Sequence, residues 1–354
     1  MSHPELIQLP AEACRFCSVV SKENGEDPIG SAWPYVQWLI IEMPQPWDED
    51  LWVQHPIAQP IFDYIKALRE NHGIWTRPLV IAPDRDYSVP GHTRILYYRR
   101  PAQLFSQLEK QEFLVPPEKV LEVAIALLHQ STTPSGSLAE LDAYHQPGAT
   151  RDLMVCTHGN VDVACARFGY PIYEQLRNQY ATSPIPSTHP SIHSPNPLRI
   201  WRCSHFGGHN FAPTLVDLPT GQYWGHLESS ILDTLIYRRG SVADLRPFYR
   251  GWSGLRPFEQ MVEREIWIER GWEWLNYLKS GTTIAIDPTH EDEWDADWGT
   301  VQIDFQSPDG QVSGRYEAKV ETRGSVMTQY NSGTDQSLES VKQYQVTSLI
   351  QVAR

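Results

Sequence analysis

Short apolar runs alternate with helix-period segments along the first 250 residues, and this alternation limits the fold more than any other feature. Residues 36–41 form a mostly apolar run, which is typical of a buried strand. A helix is predicted to begin at Pro60, because apolar residues follow it at helical spacing until Gly73 ends the pattern. The other predicted elements of this α/β unit are strands over residues 79–82 and 94–98 and a helix that opens at Pro116.

A second alternation follows a stretch rich in Ser, Thr, Pro and Gly. It predicts a strand, a helix over about 171–180, a strand, a hairpin over 214–218 and 222–227, and a short helix, which is a compact thioredoxin-like order. A long helix is then predicted from Pro257 to about Lys279, with a strand pattern from Thr300. The predicted fold is therefore α/β, with an N-terminal α/β domain (1–129), a linker (130–150), a thioredoxin-like domain (151–250) and a C-terminal helix and β extension (251–354).

The charge balance excludes several classes of protein. The 354 residues carry a net charge of −14, which argues against nucleic acid and against an anionic membrane surface as partners, since both need clustered Lys and Arg. No apolar run approaches the ~18 residues of a spanning helix, and the first residues do not resemble a secretory signal. We therefore expect a soluble cytoplasmic protein, in which five cysteines are not a disulfide framework.

Two cysteines and two histidines form the one constellation that points to chemistry. Cys156 and Cys165 are separated by eight residues, and His205 and His209 by three. Thiolates and imidazoles are the donors that bind zinc or iron–sulfur clusters. Each residue alone is more often a small core side chain or a hydrogen-bonded histidine. The spacing alone does not distinguish zinc from iron, and the two glycines within the histidine pair disfavour the helical motif of zinc proteases.

These residues resemble a known family. The segments Cys156-Thr-His-Gly-Asn-Val-Asp-Val-Ala-Cys165 and His205-Phe-Gly-Gly-His209, with the hairpin Leu218-Pro-Thr-Gly-Gln-Tyr-Trp-Gly225, are similar to the sucrase/ferredoxin-like family. The resemblance covers about residues 14–280. It implies that residues 151–250 form a thioredoxin-like ferredoxin domain with a [2Fe–2S] cluster.

In that family two cysteines and the two histidines of the paired motif hold the cluster. The resemblance therefore implies Cys156, Cys165, His205 and His209 as ligands, and it makes neither Cys203 nor His158 a ligand. The implied function is electron transfer with a redox partner such as a reductase, so that the chain is an electron carrier rather than an enzyme.

Two alternatives stay open at this point. The same four residues would also suit a zinc-stabilised thioredoxin-like binding module. A thiol–disulfide oxidoreductase would use Cys14 and Cys17, but the residues after Cys17 are poor helix formers, whereas a redox Cys-x-x-Cys opens a helix. We expect Cys14 and Cys17 to belong to the other domain and to play no part in the metal site.

Overall fold

The computed structural model describes residues 15–132, 141–181, 197–290, 293–334 and 337–352. The described α-helices are α1 (Cys17–Glu23), α2 (Leu51–Gln54), α3 (Ala58–His72), α4 (Val120–His129), α5 (Val163–Gln179), α6 (Leu232–Tyr237) and α7 (Pro257–Arg270). The described strands are β1 (Gln37–Glu42), β2 (Thr76–Ile81), β3 (Thr93–Arg99), β4 (Glu109–Val115), β5 (Arg151–Cys156), β6 (Leu198–Cys203), β7 (Leu215–Leu218), β8 (Gln222–Trp224), β9 (Tyr249–Trp252), β10 (Leu278–Ile286), β11 (Trp298–Gln306), β12 (Ser313–Thr328) and β13 (Glu339–Val352).

One mixed sheet of nine strands organises the molecule, in the order β4-β3-β1-β2-β6-β5-β7-β8-β9. The pairs β1–β2 and β5–β6 are parallel, and the other neighbours are antiparallel. Strands from both sides of the predicted linker share this sheet, and they meet where Ile81 of β2 pairs with Cys203 of β6. The predicted α/β class is confirmed, and so is the hairpin, which is β7 and β8.

Both faces of the sheet are buried at its centre. Leu39 and Ile41 of β1 belong to an apolar cluster with Ile61 of α3, while Trp38 and Ile40 face the larger cluster on the other side. A strand that is covered on both faces has no polar alternation. This explains why the apolar run at residues 36–41 predicted a strand.

The sheet is strongly curled. Five strand-to-strand steps separate β4 from β5, which would place them about 24 Å apart in a flat sheet. Nevertheless, Lys110 Nζ of β4 lies 2.7 Å from a carboxylate oxygen of Asp152 in β5, and the Tyr98 hydroxyl of β3 donates to the same carboxylate at 2.8 Å. Arg199 of β6 donates to both Asp152 and Glu112. This buried charge network is fully paired, as a low-dielectric interior requires.

Two helix predictions need correction. The helix predicted over 171–180 begins at Val163, because the Asp162 carboxylate accepts the Ala164 backbone N–H at 2.8 Å and caps the helix there. Pro171 lies inside α5 rather than in its first turn. The long helix predicted to reach residue 279 stops at Arg270, because the backbone turns at Gly271 with φ of 72°.

The C-terminal extension is a separate antiparallel sheet in the order β10-β11-β12-β13. Its predicted alternation is confirmed in β11, where Val301, Ile303 and Phe305 are fully buried. Helix α7 packs against this sheet and also lies against β9, so it joins the extension to the larger sheet. Within the described ranges, no helix is both long and apolar enough to cross a lipid bilayer.

Candidate metal centre

Parallel pairing of β5 and β6 brings the two predicted motifs to one edge of the sheet. Cys156 and Cys203, the last residues of these strands, are partners in the register. The chain segments that follow them, 157–162 and 204–209, therefore leave the sheet side by side. Sites in α/β proteins form at this end of parallel strands.

Helix α5 holds Cys165 against the end of β5. Its cap Asp162 places Cys165 in the first helical turn instead of a loop. Close approach of helix and strand depends on Gly169, where an added Cβ would lie 2.0 Å from the Cys156 carbonyl oxygen. Only glycine fits at this contact.

Three of the four predicted ligands converge. One donor atom each from Cys156, Cys165 and His205 forms a group in which all atoms lie within 4.8 Å of one another. Cys165 Sγ is 3.8 Å from His205 Nδ1. The Gly207 backbone N–H donates to His205 Nε2 at 3.1 Å, so the other ring nitrogen is the one beside the sulfur.

His209 lies next to this group but outside it. Its ring centroid is 5.1 Å from that of His205, and the planes are tilted by 32°. Nδ1 of His209 is buried and has no hydrogen-bond partner in the described part of the chain. An orphaned buried nitrogen is costly unless something binds it.

Hydrogen bonding and burial shift the pKa values of the two thiols in opposite directions. Burial acts to raise the pKa of Cys156, but hydrogen bonds from Cys165 and His205 outweigh it and hold that pKa well below its usual range. The hydrogen bond to Cys156 and burial raise the pKa of Cys165 well above its usual range. These shifts favour a thiolate at Cys156, the form of cysteine that binds metals.

Two nearby residues have other roles. Nε2 of His158 donates to the Trp47 carbonyl at 3.0 Å, and its Nδ1 accepts the His205 backbone N–H at 3.4 Å. Both ring nitrogens are thus used in holding loops together. Cys203 is completely buried in the apolar core, and burial raises its pKa well above the usual range.

Cys17 is the residue that sequence reasoning misplaced. We expected it in the other domain, but its sulfur lies 3.7 Å from the Asp162 carboxylate and 3.3 Å from Ser332 Oγ, beside the cap of α5. Cys17 opens α1, contrary to the expected lack of a helix. Burial raises its pKa to about 12, so it stays protonated and is a poor redox nucleophile. Cys14 lies outside the described residues.

The acidic segment 287–297 contains a second group of possible donors, Asp287, His290 and Asp297. The ammonium of Lys342 lies 2.8 Å from Asp297 and 3.4 Å from His290 Nε2. A lysine therefore already supplies the positive charge that these side chains attract. This group is a surface ion-pair cluster that ties the segment to β13.

Comparison with known proteins gives one match. The family model described as sucrase/ferredoxin-like matches residues 28–251, a range that includes β1 to β8, most of β9 and all four predicted ligands. No curated protein and no solved structure gives a significant match. Since the matched range is well over half of the 354 residues, the chain belongs to the sucrase/ferredoxin-like family.

Proposed function

We propose that this protein binds a [2Fe–2S] cluster through Cys156, Cys165, His205 and His209 and acts as an electron-transfer protein. The observation that carries the proposal is the group of Cys156, Cys165 and His205 donor atoms within 4.8 Å of one another. Such a cluster, when bound, supplies one-electron redox chemistry. The net charge of −14 favours a basic redox partner such as a reductase.

The chemistry of the donor set fits this group. As thiolates, the two sulfurs would provide the anionic ligands, and the environment of Cys156 already favours that form; two neutral imidazoles would provide the other ligands. The unpartnered Nδ1 of His209 is a donor with no other use in the described structure. Histidine in place of two thiolates makes the site less negative, so the potential is expected to exceed the ~−400 mV of plant-type ferredoxins.

Two arginines position the histidine loop. Arg250 is almost fully buried and donates to the Gly207 carbonyl at 3.0 Å, and Arg77 donates to the His205 carbonyl. An added Cβ on Gly208 would lie 2.3 Å from the Arg250 guanidinium, so the loop needs glycine to accept this clamp. The guanidinium charges also offset the negative charge that thiolates bring to the site.

The direct test is the visible spectrum and metal content of full-length protein purified without oxygen. We expect a red-brown protein with about two iron atoms and two inorganic sulfides per chain. A colourless protein that contains zinc would refute the proposal and establish the zinc-stabilised binding module instead.

Substitutions test the ligand assignment. Cys156→Ser and His209→Ala are expected to lose most of the iron, because each removes one donor. Cys203→Ser is the matched control, since Cys203 is an equally buried cysteine at the same level of the neighbouring strand. Full iron content in the His209 variant, or loss of iron in the Cys203 variant alone, would show that the assigned ligands are wrong.

A further inference from the structure

A cavity of about 420 Å³ opens beside His205, and most of its lining residues take no part in the proposed metal site. We call it the α3 pocket, because Phe62, Lys66 and Arg69 of α3 form one wall and Trp75 and Arg77, at the start of β2, form another. Its volume lies in the ~300–1,000 Å³ range of small-molecule sites. The pocket is therefore large enough for a ring system with a substituent.

Aromatic side chains supply flat surfaces in this pocket. Trp52 and Phe62 lie with ring centroids 6.3 Å apart, and Trp75 is a third aromatic residue in the lining. The guanidinium carbon of Arg69 lies 3.9 Å from the centroid of the Trp75 ring, which holds this arginine in place by a cation–π contact. Trp75 remains 38% exposed, so a ligand can reach it.

The charge of the pocket is opposite to that of the protein. Lys66, Arg69 and Arg77 face a single carboxylate, Glu49, although the whole chain has a net charge of −14. In the described part of the chain, the one carboxylate within 4.0 Å of Lys66 Nζ is that of Asp63, at 3.9 Å. Neither arginine has a carboxylate within 4.0 Å among the described residues. Three cations beside one lining carboxylate leave an excess of positive charge, which attracts an anionic group.

We propose that the α3 pocket binds a planar aromatic molecule that carries a phosphate or carboxylate group. The rings stack on the aromatic wall, and the anionic group pairs with Arg69 and Lys66. Because His205 lines the same cavity, the ligand lies in contact with a proposed metal ligand. Any part in electron transfer rests on the proposed function, whereas the binding itself does not.

The experiment is isothermal titration of the full-length protein with four probes. Flavin mononucleotide and 1-naphthyl phosphate carry both the ring and the anion, riboflavin lacks the phosphate, and inorganic phosphate lacks the ring. We expect dissociation constants below about 1 mM for at least one of the first two, and affinity at least tenfold weaker for the single-feature probes. If neither aromatic anion binds more tightly than riboflavin and phosphate, the inference is overturned.

Matched arginine variants locate the site. Arg69→Met is expected to weaken binding of the aromatic anion about tenfold, because it removes one charge-assisted contact. The control is Arg239→Met, since Arg239 also lies over an aromatic ring, Tyr237, at 4.8 Å but outside the pocket. Equal affinity in wild type and the Arg69 variant, or an equal loss in both variants, would overturn the assignment.

Iron analysis of the same samples separates the two proposals. If protein without iron binds the aromatic anion and this binding depends on Arg69, the pocket proposal is supported. The lack of iron then counts only against the proposed function. Iron-loaded protein that binds neither aromatic anion counts only against the pocket.

Discussion

Replacing Gly169 by alanine tests how closely α5 must approach β5. Two opposite effects act on the free energy of unfolding, and their relative sizes decide whether the variant is less stable than the wild type. Alanine is a better helix former than glycine by about 1 kcal/mol, which would stabilise α5. However, the new Cβ would lie 2.0 Å from the Cys156 carbonyl oxygen, and ordinary contact begins at 3.4 Å, so helix and strand must separate by about 1.4 Å.

Overpacking of this kind costs about 1–3 kcal/mol, and here the obstacle is a backbone atom that cannot rotate away. Because such an obstacle places the cost in the upper part of this range, about 2–3 kcal/mol, we expect Gly169→Ala to lower the free energy of unfolding by about 1–2 kcal/mol after the gain of about 1 kcal/mol in helix propensity. The same displacement carries Cys165 away from Cys156, so the variant is also expected to retain less iron if the proposed function holds.

Urea unfolding followed by circular dichroism measures the first effect, and iron analysis measures the second. Asn178→Ala is the matched control, because residue 178 is exposed on the same helix and gains helix propensity without a clash. An unfolding free energy of the Gly169 variant equal to or above that of the wild type would refute the argument from close packing.

Three further predictions concern buried polar groups. Metal analysis of Cys17→Ser should show the same iron content as the wild type, and urea unfolding should show a loss of about 1 kcal/mol in unfolding free energy. The serine hydroxyl can keep the hydrogen bonds to Asp162 and Ser332, but it is smaller than the thiol and leaves a small cavity. Asp152→Asn should cost about 3–5 kcal/mol in the same urea assay, because Arg199 and Lys110 each lose one of their two carboxylate partners in the core; a loss below 1 kcal/mol would contradict this. Burial acts to raise the pKa of Asp217, but Arg151 outweighs it and lowers that pKa below the usual 3.8. Unfolding free energy measured against pH should therefore be constant for this group well above pH 3.8 and fall as the pH drops through and below that value; an increase on acidification would contradict the sign.

Local sequence patterns were sufficient to predict the helices and strands that pack against uniformly apolar neighbours. Helix α3 ends at Gly73, with φ of 65°, as the sequence predicted. Strand β4 was missed, because Glu109-Lys-Gln-Glu112 does not resemble a core strand. Glu112 is buried only because Arg94 and Arg199 reach it from other strands. A charge that is buried by distant partners leaves no local signal.

The candidate site also combines features that local sequence patterns predicted with features that they did not. Its candidate donors were selected because their residue types and spacing are unusual, and three of the four converge in the structure. The position of Cys165 in a helical turn was not found, since Pro171 suggested a later start for α5. No spacing rule relates Cys17 to Asp162, which is 145 residues away, or to Ser332, which is 315 residues away. Such contacts follow from packing, which the sequence order does not record.

Asp162 shows why these distant contacts matter to the site. It caps α5 and also accepts the backbone N–H of Ser332 at 2.8 Å and the Ser332 hydroxyl at 2.7 Å. The family match covers residues 28–251, so α1 and Ser332 both lie outside it. The first turn of α5, which carries Cys165, is therefore held by segments from both ends of the described chain. Because the cap fixes the helix start, and the helix start fixes Cys165, these segments influence the geometry of the proposed donors although none of those donors belongs to them.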